Sequence, residues 1–299
     1  MVAITQGSVS ANGVDFAFLQ ASPPATDTDD HCLPLALCLH GFPDSAHGWR
    51  HLLPALADAG YRAVAPFQRG YAPTSVPPDG RYQSGVLGVD ANALHEALGG
   101  DERAVIVGHD WGASGTYAAA VLQPQRWRKV VAMAVPTGGA MVTAFLGDLA
   151  QLKRSWYMFF FQSGIADLVV PGADMAFIDM LWHDWSPGYD ATDDLVHVKQ
   201  CLRDPANLAA ALGYYRATLG AGLTDPALAE AQAATQGLPV QPLLYLHGRN
   251  DGCVGVDVAT GMAAVAPSNF TIEVVDDAGH FLHLERPQLV NERIVSFLA

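Results

Sequence analysis

Short apolar runs alternate with longer helical patterns along this chain. Leu35–Leu39, Arg62–Ala65, Ala104–Val107, Val130–Val135, Leu243–Leu246 and Thr271–Val275 are brief and rich in aliphatic or β-branched residues, as buried strands are. Between them, Asp90–Leu98 reads as the end of a helix stopped by Gly99-Gly100, and Pro287–Leu298 as a C-terminal helix. The alternation predicts an α/β fold with a mostly parallel central sheet flanked by helices on both faces. It holds to about Val135 and resumes near Val240. From Thr137 to Gln236 the spacing stays helix-like, no convincing strand shows, and aromatics such as Trp156, Tyr157, Phe161, Trp182, Trp185 and Tyr215 crowd together. The expectation is a helical cap, residues 137–236, inserted into a core made of residues 1–136 and 237–299. Most of the cap aromatics would simply glue cap to core. No internal repeat is visible, and the polar Ala25–Asp30 loop is the one low-complexity tract.

Composition narrows the partners. Half of the 299 residues are hydrophobic and 15% are charged, enough apolar surface for a large core. A formal charge of -14 repels nucleic acid and anionic membranes and favours a neutral, apolar small molecule. Cys32, Cys38, Cys201 and Cys253 lack zinc-ligand pairing and the density of a disulfide scaffold, so free thiols in a reducing compartment are expected. Met1–Gln6 lacks the basic and apolar stretches of a signal peptide, which makes the cytoplasm the expected location. Val130–Gly147 carries no charge, but Pro136, Gly138 and Gly139 interrupt it. A buried strand followed by a loop fits it better than a membrane span. Nothing here fixes the oligomeric state, and a homodimer is left open.

Chemistry concentrates at Gly108-His109-Asp110-Trp111-Gly112, set between the strand at Ala104–Val107 and a helical run from Ala113. A strand, a Gly-x-nucleophile-x-Gly turn and a helix form a nucleophile elbow, in which small residues let a strained turn lift one side chain above the sheet. Here that side chain is a carboxylate. An Asp capping the next helix would be the ordinary alternative, but the flanking glycines and the partners further along argue against it. His280, in Asp276-Asp277-Ala278-Gly279-His280-Phe281, follows a late strand where the base of such a triad belongs. The orienting acid is best assigned to Asp251, directly after Leu243–Leu246, although Asp251-Gly252 also fits a common turn. His247, His283, Asp276 and Asp277 are lower-ranked competitors. In His40-Gly41-Phe42-Pro43 the backbone N–H of Phe42, with that of Trp111, can point at an Asp110 oxygen as an oxyanion hole. A cis Phe42–Pro43 bond would fix that loop.

These motifs resemble, nearly end to end, those of the epoxide hydrolases of the α/β-hydrolase fold. His40-Gly41-Phe42-Pro43, Arg69-Gly70-Tyr71, Gly108-His109-Asp110-Trp111-Gly112 and Gly279-His280-Phe281 carry the resemblance. It implies two cap tyrosines that activate the epoxide oxygen. By motif these match Tyr157, in Ser155-Trp156-Tyr157-Met158-Phe159-Phe160-Phe161-Gln162, and Tyr215, in Gly213-Tyr214-Tyr215-Arg216. His40, Pro43, Trp156 and Phe161 are the candidate substrate contacts. Two departures stand out: Ala72 where glycine is more usual after Arg-Gly-Tyr, and Gly213 where Asn is common.

The implied reaction has two steps, because an Asp that attacks saturated carbon makes an ester which a second step must break. Asp110 opens the ring while Tyr157 and Tyr215 donate to the leaving oxygen. His280, held by Asp251, then activates water, and the oxyanion is held by Phe42 and Trp111. Epoxide and water suffice, with no metal or cofactor. The rival enzyme is a haloalkane or haloacid dehalogenase, with indole N–H groups of Trp111 and of Trp156, Trp182 or Trp185 around halide. Dehalogenases of the haloalkane type commonly carry Asn where Phe42 stands. A silent ligand-binding protein is disfavoured by the complete Asp110, Asp251 and His280 set. A serine esterase is disfavoured because Ser114 lies in the helix and not at the elbow.

Overall fold

In the computed structural model, which describes residues 2–24, 33–220 and 222–299, the apolar runs become strands. Strands β1 (Thr5–Ala11), β2 (Val14–Ala21), β3 (Leu35–Leu39), β4 (Arg62–Pro66), β5 (Val105–His109), β6 (Lys129–Met133), β7 (Leu243–Gly248) and β8 (Phe270–Val275) form one eight-stranded sheet. Its order is β1-β2-β4-β3-β5-β6-β7-β8. From β4 to β8 every neighbouring pair is parallel, while β1–β2 and β2–β4 are antiparallel. The polar loop at residues 25–30 and Cys32 lie outside the described residues.

The continuous apolar runs have a physical reason. Helices cover both faces of a parallel sheet, so both sides of each strand are buried. Along β3, Ala36 and Cys38 enter one core while Leu35, Leu37 and Leu39 enter the other. Along β5, Val105 and Val107 likewise oppose Ile106. Register aligns Leu39 with Gly108, His109 with Met133, and Met133 with Leu246. The carboxyl ends of β3, β5, β6 and β7 therefore share one edge, where ligands bind in open α/β sheets.

Two of the expected outlines change. The antiparallel hairpin β1–β2 is additional. β1 has little apolar content and lies mostly exposed, so no buried-strand pattern marks it. The readable signal was Asn12-Gly13, whose φ values of 45° and 71° are those of a tight hairpin turn. Residues after β6 form a helix, Gly138–Gly147, rather than a loop. Between β6 and β7 the described residues hold only helices, among them Trp156–Phe160, Gly172–Trp185, Thr192–Leu202 and Pro205–Leu219. The last α-helix of this stretch, Ala229–Ala234, is tied to the helix Ser84–Ala97, where the Gln232 amide donates to Ser84 Oγ at 2.9 Å. Among the described residues, no helix is long and apolar enough to cross a membrane.

Candidate active site

Asp110 sits between β5 and the helix Trp111–Leu122 with φ 54° and ψ −120°. A non-glycine residue held in such a region carries strain of about 1–3 kcal/mol, which the surroundings must enforce. They do so by close approach: a Cβ on Gly112 would lie 1.9 Å from the Leu39 carbonyl oxygen of β3. The loop after β3 is equally tight, since a Cβ on Gly41 would fall 2.2 Å from Asp110 Oδ1. Phe42 is thereby placed so that its backbone N–H donates to Asp110 Oδ1 at 2.8 Å. Trp111 opens the helix, so its N–H is one of the donors that a helix start leaves without an intrahelical partner. The Phe42–Pro43 bond is cis, as its place in the loop suggested.

Asp251 lies in the turn after β7, fully enclosed. Its Oδ1 accepts the backbone N–H groups of Cys253 at 2.7 Å and Val254 at 2.9 Å. Its Oδ2 faces His280 Nδ1 at 3.0 Å. The backbone N–H of His280 is anchored on the Trp185 carbonyl at 3.0 Å, and its Nε2, without a hydrogen-bond partner, stands 3.6 Å from Asp110 Oδ2. Burial alone would lower the His280 pKa, yet the carboxylates of Asp251 and Asp110 outweigh it and push it up to about 10. Burial would likewise raise Asp251, but His280, His247 and the Val254 N–H together hold it below the usual carboxylate value.

The competing residues are occupied elsewhere. His247 donates from Nε2 to the Val254 carbonyl at 3.0 Å and uses Nδ1 with the Tyr245 hydroxyl at 2.7 Å. Asp276 is exposed and paired with Arg249, and exposed Asp277 lies near Arg286. His283 belongs to a second buried group, with Asp44 and His109, beside His280.

A cavity of about 330 Å³ opens above Asp110, lined also by Trp111, Tyr157, Tyr215, Cys253 and the apolar Met141. Both tyrosines are buried and their rings meet edge to face, 5.6 Å between centroids. The Tyr157 hydroxyl lies 3.3 Å from Cys253 Sγ. That of Tyr215 has no partner, and neither has the Trp111 indole N–H. Burial pushes both phenols well above their ordinary value. Neighbouring Tyr214 points away and donates to the Arg69 carbonyl at 2.8 Å.

The four candidate substrate contacts do not line this cavity. His40 holds the loop, with Nδ1 donating to the Gly41 carbonyl at 2.9 Å and Nε2 accepting the Gln68 N–H at 2.9 Å. The Pro43 carbonyl accepts the Trp182 indole N–H at 2.7 Å, which also removes Trp182 as a halide donor. Phe161 is fully buried behind the site, packed on Phe42, Tyr157 and Tyr215. Trp156 is 43% exposed and packs on Phe160 and Phe177. A helix presents successive residues to different faces, so Tyr157 turns inward and Trp156 outward. Sequence reasoning missed Cys253 and Met141. Cys253 could have been found from its place in the turn of Asp251.

The family model described as the alpha/beta hydrolase fold matches residues 34–287. The chain belongs to the α/β-hydrolase-fold family. Among its relatives in that family is Epoxide hydrolase A of Mycobacterium tuberculosis, 31% identical over 100% of this chain and 98% of the relative. Another is the AB hydrolase superfamily protein YfhM of Bacillus subtilis, 30% identical over 89% of this chain and 90% of the relative. The solved epoxide hydrolase of Bacillus megaterium shares the fold, with a TM-score of 0.80 at 24% identity over 98% of this chain and 99% of that one.

Proposed function

We propose that this α/β-hydrolase-fold protein is an epoxide hydrolase that makes a vicinal diol through an ester on Asp110. The observation that carries the reading is the convergence of two buried phenols, Tyr157 and Tyr215, on a cavity floored by Asp110. A carboxylate oxygen of Asp110 attacks a ring carbon, the C–O bond breaks, and a phenol proton goes to the departing oxygen. An alkoxide is the conjugate base of an acid about as weak as water, with pKa about 15.7, so the departing oxygen needs a proton, and a phenol, intrinsically a stronger acid at pKa about 10, can supply it. Water then adds to the ester carbonyl, its proton passing to His280 Nε2 while Asp251 holds Nδ1–H. The N–H groups of Phe42 and Trp111 take the oxyanion, and collapse releases the diol and restores Asp110. Residues 137–236 act as the cap that brings the phenols over the core, and an apolar epoxide suits the Met141 wall. The naming of the relatives as epoxide hydrolases supports the same reading.

A second reading, dehalogenation, is favoured by one observation: the unpartnered indole N–H of Trp111 at the cavity, suited to halide. A panel of epoxides and haloalkanes, with diol and halide both measured, separates the two. Diol without halide is expected, and faster halide release would replace the first reading with the second.

A further inference from the structure

Cys253 has no part in the turnover described above, yet its sulfur lies inside the site. Asp110, Cys253 and His280 are all buried, and one ligand atom from each lies within 4.8 Å of the others. His280 Nε2 and Asp110 Oδ2 stand 3.6 Å apart. Two ligands about 2.1 Å from a tetrahedral zinc are about 3.4 Å apart, so this pair needs only a few tenths of an ångström of adjustment, and the sulfur, within 4.8 Å of both, closes on the ion by a χ1 movement. His280 is 0% exposed and its Nε2 has no hydrogen-bond partner, so a buried nitrogen already faces the place where an ion would sit and offers its lone pair once its proton leaves.

Each ligand is also steadied from behind, as metal ligands are in built sites. His280 Nδ1 faces Asp251 at 3.0 Å. Asp110 Oδ1 is taken by the Phe42 N–H at 2.8 Å, which leaves Oδ2 for an ion. The Tyr157 hydroxyl, 3.3 Å from Cys253 Sγ, can donate to a thiolate. Asp110 and Cys253 line the cavity, so a fourth coordination position opens towards it.

We propose that Asp110, Cys253 and His280 form a binding site for a soft divalent cation, zinc or cadmium, that blocks the enzyme when filled. Thiolate and imidazole ligands select such ions over magnesium and calcium, which take oxygen. On binding, the thiol and the protonated imidazole each release a proton to solvent as the metal–sulfur and metal–nitrogen bonds form, and no electron changes hands. The ion takes Oδ2 of Asp110 and the lone pair of His280, so neither the attacking carboxylate nor the base is free.

The test adds Cd²⁺ to the full chain and reads thiolate-to-cadmium charge-transfer absorption in the ultraviolet, with equilibrium dialysis for stoichiometry. Neither readout needs turnover, so a failure here is distinct from a failure of the epoxide reading. One Cd²⁺ per chain is expected, displaced by Zn²⁺ and not by excess Mg²⁺. The absorption should vanish in Cys253→Ser and persist in Cys38→Ser and Cys201→Ser. Binding should weaken by about 10–100-fold in Asp251→Asn, which touches no ion but loosens the support of His280 and of the turn that carries Cys253. His280→Gln, which keeps the thiol, should weaken it at least as much and guards against a Cys253→Ser chain that does not fold. In parallel, Zn²⁺ should stop diol formation and a chelator should restore it. Absorption that survives in a folded Cys253→Ser chain, or a wild-type chain that holds no Cd²⁺ on dialysis, overturns the site.

Discussion

Replacing Tyr215 by Phe should move stability and activity in opposite directions. The Tyr215 hydroxyl is buried and unpartnered, whereas its ring touches Phe42, Trp111 and Phe161 at centroid distances of 5.3, 5.1 and 5.1 Å. Phe keeps those ring contacts and removes a polar group whose unsatisfied burial costs about 1–3 kcal/mol. Unfolding free energy should therefore hold or rise, by up to about that amount. Activity should fall, because general acid catalysis is worth about 10²–10⁴-fold and two phenols share it, which leaves about 10–100-fold for each. Tyr157→Phe should slow ring opening similarly but lower stability, since its hydroxyl gives up the contact with Cys253 Sγ, a hydrogen bond worth about 0.5–1.5 kcal/mol. Stopped-flow tryptophan fluorescence, with Trp111 beside Tyr215, would follow formation of the alkyl-enzyme, and urea titration would give stability. The reasoning fails if Tyr215→Phe is destabilised by more than about 1 kcal/mol while ring opening keeps its wild-type rate, for the hydroxyl would then be structural.

His280→Ala should accumulate an alkylated enzyme whose added mass maps to Asp110. In a single turnover of wild type in heavy-oxygen water the first diol should carry unlabelled oxygen from Asp110. Gly112→Ala should cost stability by about 1–3 kcal/mol or more, because its Cβ would meet the Leu39 carbonyl at 1.9 Å and two backbones cannot both yield. Thermal unfolding checks this, and a wild-type Tm would contradict the packing. His280, raised from 6.5 to about 10 on folding, contributes stability that is complete below pH 6.5 and lost as pH rises through about 10. The stability difference between wild type and His280→Gln should shrink over that range, and a difference that grew with pH would have the wrong sign.

Legibility in the sequence followed the strength of local constraint. The six parallel strands β3 to β8 were readable because burial on both faces forces continuous apolar runs. β1 was not, because an exposed edge strand needs no such run, and only Asn12-Gly13 marked its turn. That Asp110, Asp251 and His280 come together could be read from their places after strands, since the carboxyl ends of parallel strands share one edge of the sheet. The cap residues were harder. Whether Trp156 or Tyr157, Tyr214 or Tyr215, faces the site depends on the roll of a helix about its axis, which adjacent aromatics leave undetermined. The structure turns Tyr157 and Tyr215 inward and leaves Trp156 half exposed. Pro43, His40 and Phe161 were close in space but hold the loop and the phenols instead of meeting the cavity.

The electrostatics also bear on how one imidazole could serve the second step without hindering the first. With Asp110 ionised, His280 lies between two carboxylates and is held up to about 10, so it starts protonated at neutral pH. An ester on Asp110 has no charge, and one of the two influences that raise His280 then disappears. Asp251 remains at 3.0 Å from Nδ1, while burial still disfavours the imidazolium. The affinity of His280 for its proton therefore drops at the moment a base is needed. In the proposed mechanism the proton it sheds would replace the one that a phenol gives to the alkoxide, so an alkyl-enzyme would reach hydrolysis with a neutral imidazole and intact phenols. The hydrolysis rate of the alkyl-enzyme, measured against pH in single turnovers, should rise with an apparent pKa well below about 10. Asp251→Asn removes the other influence, and the remaining activity should titrate lower still. A hydrolysis rate that climbs only above about pH 10 would mean that Asp110 does not control His280, and the charge coupling between the two steps would be lost.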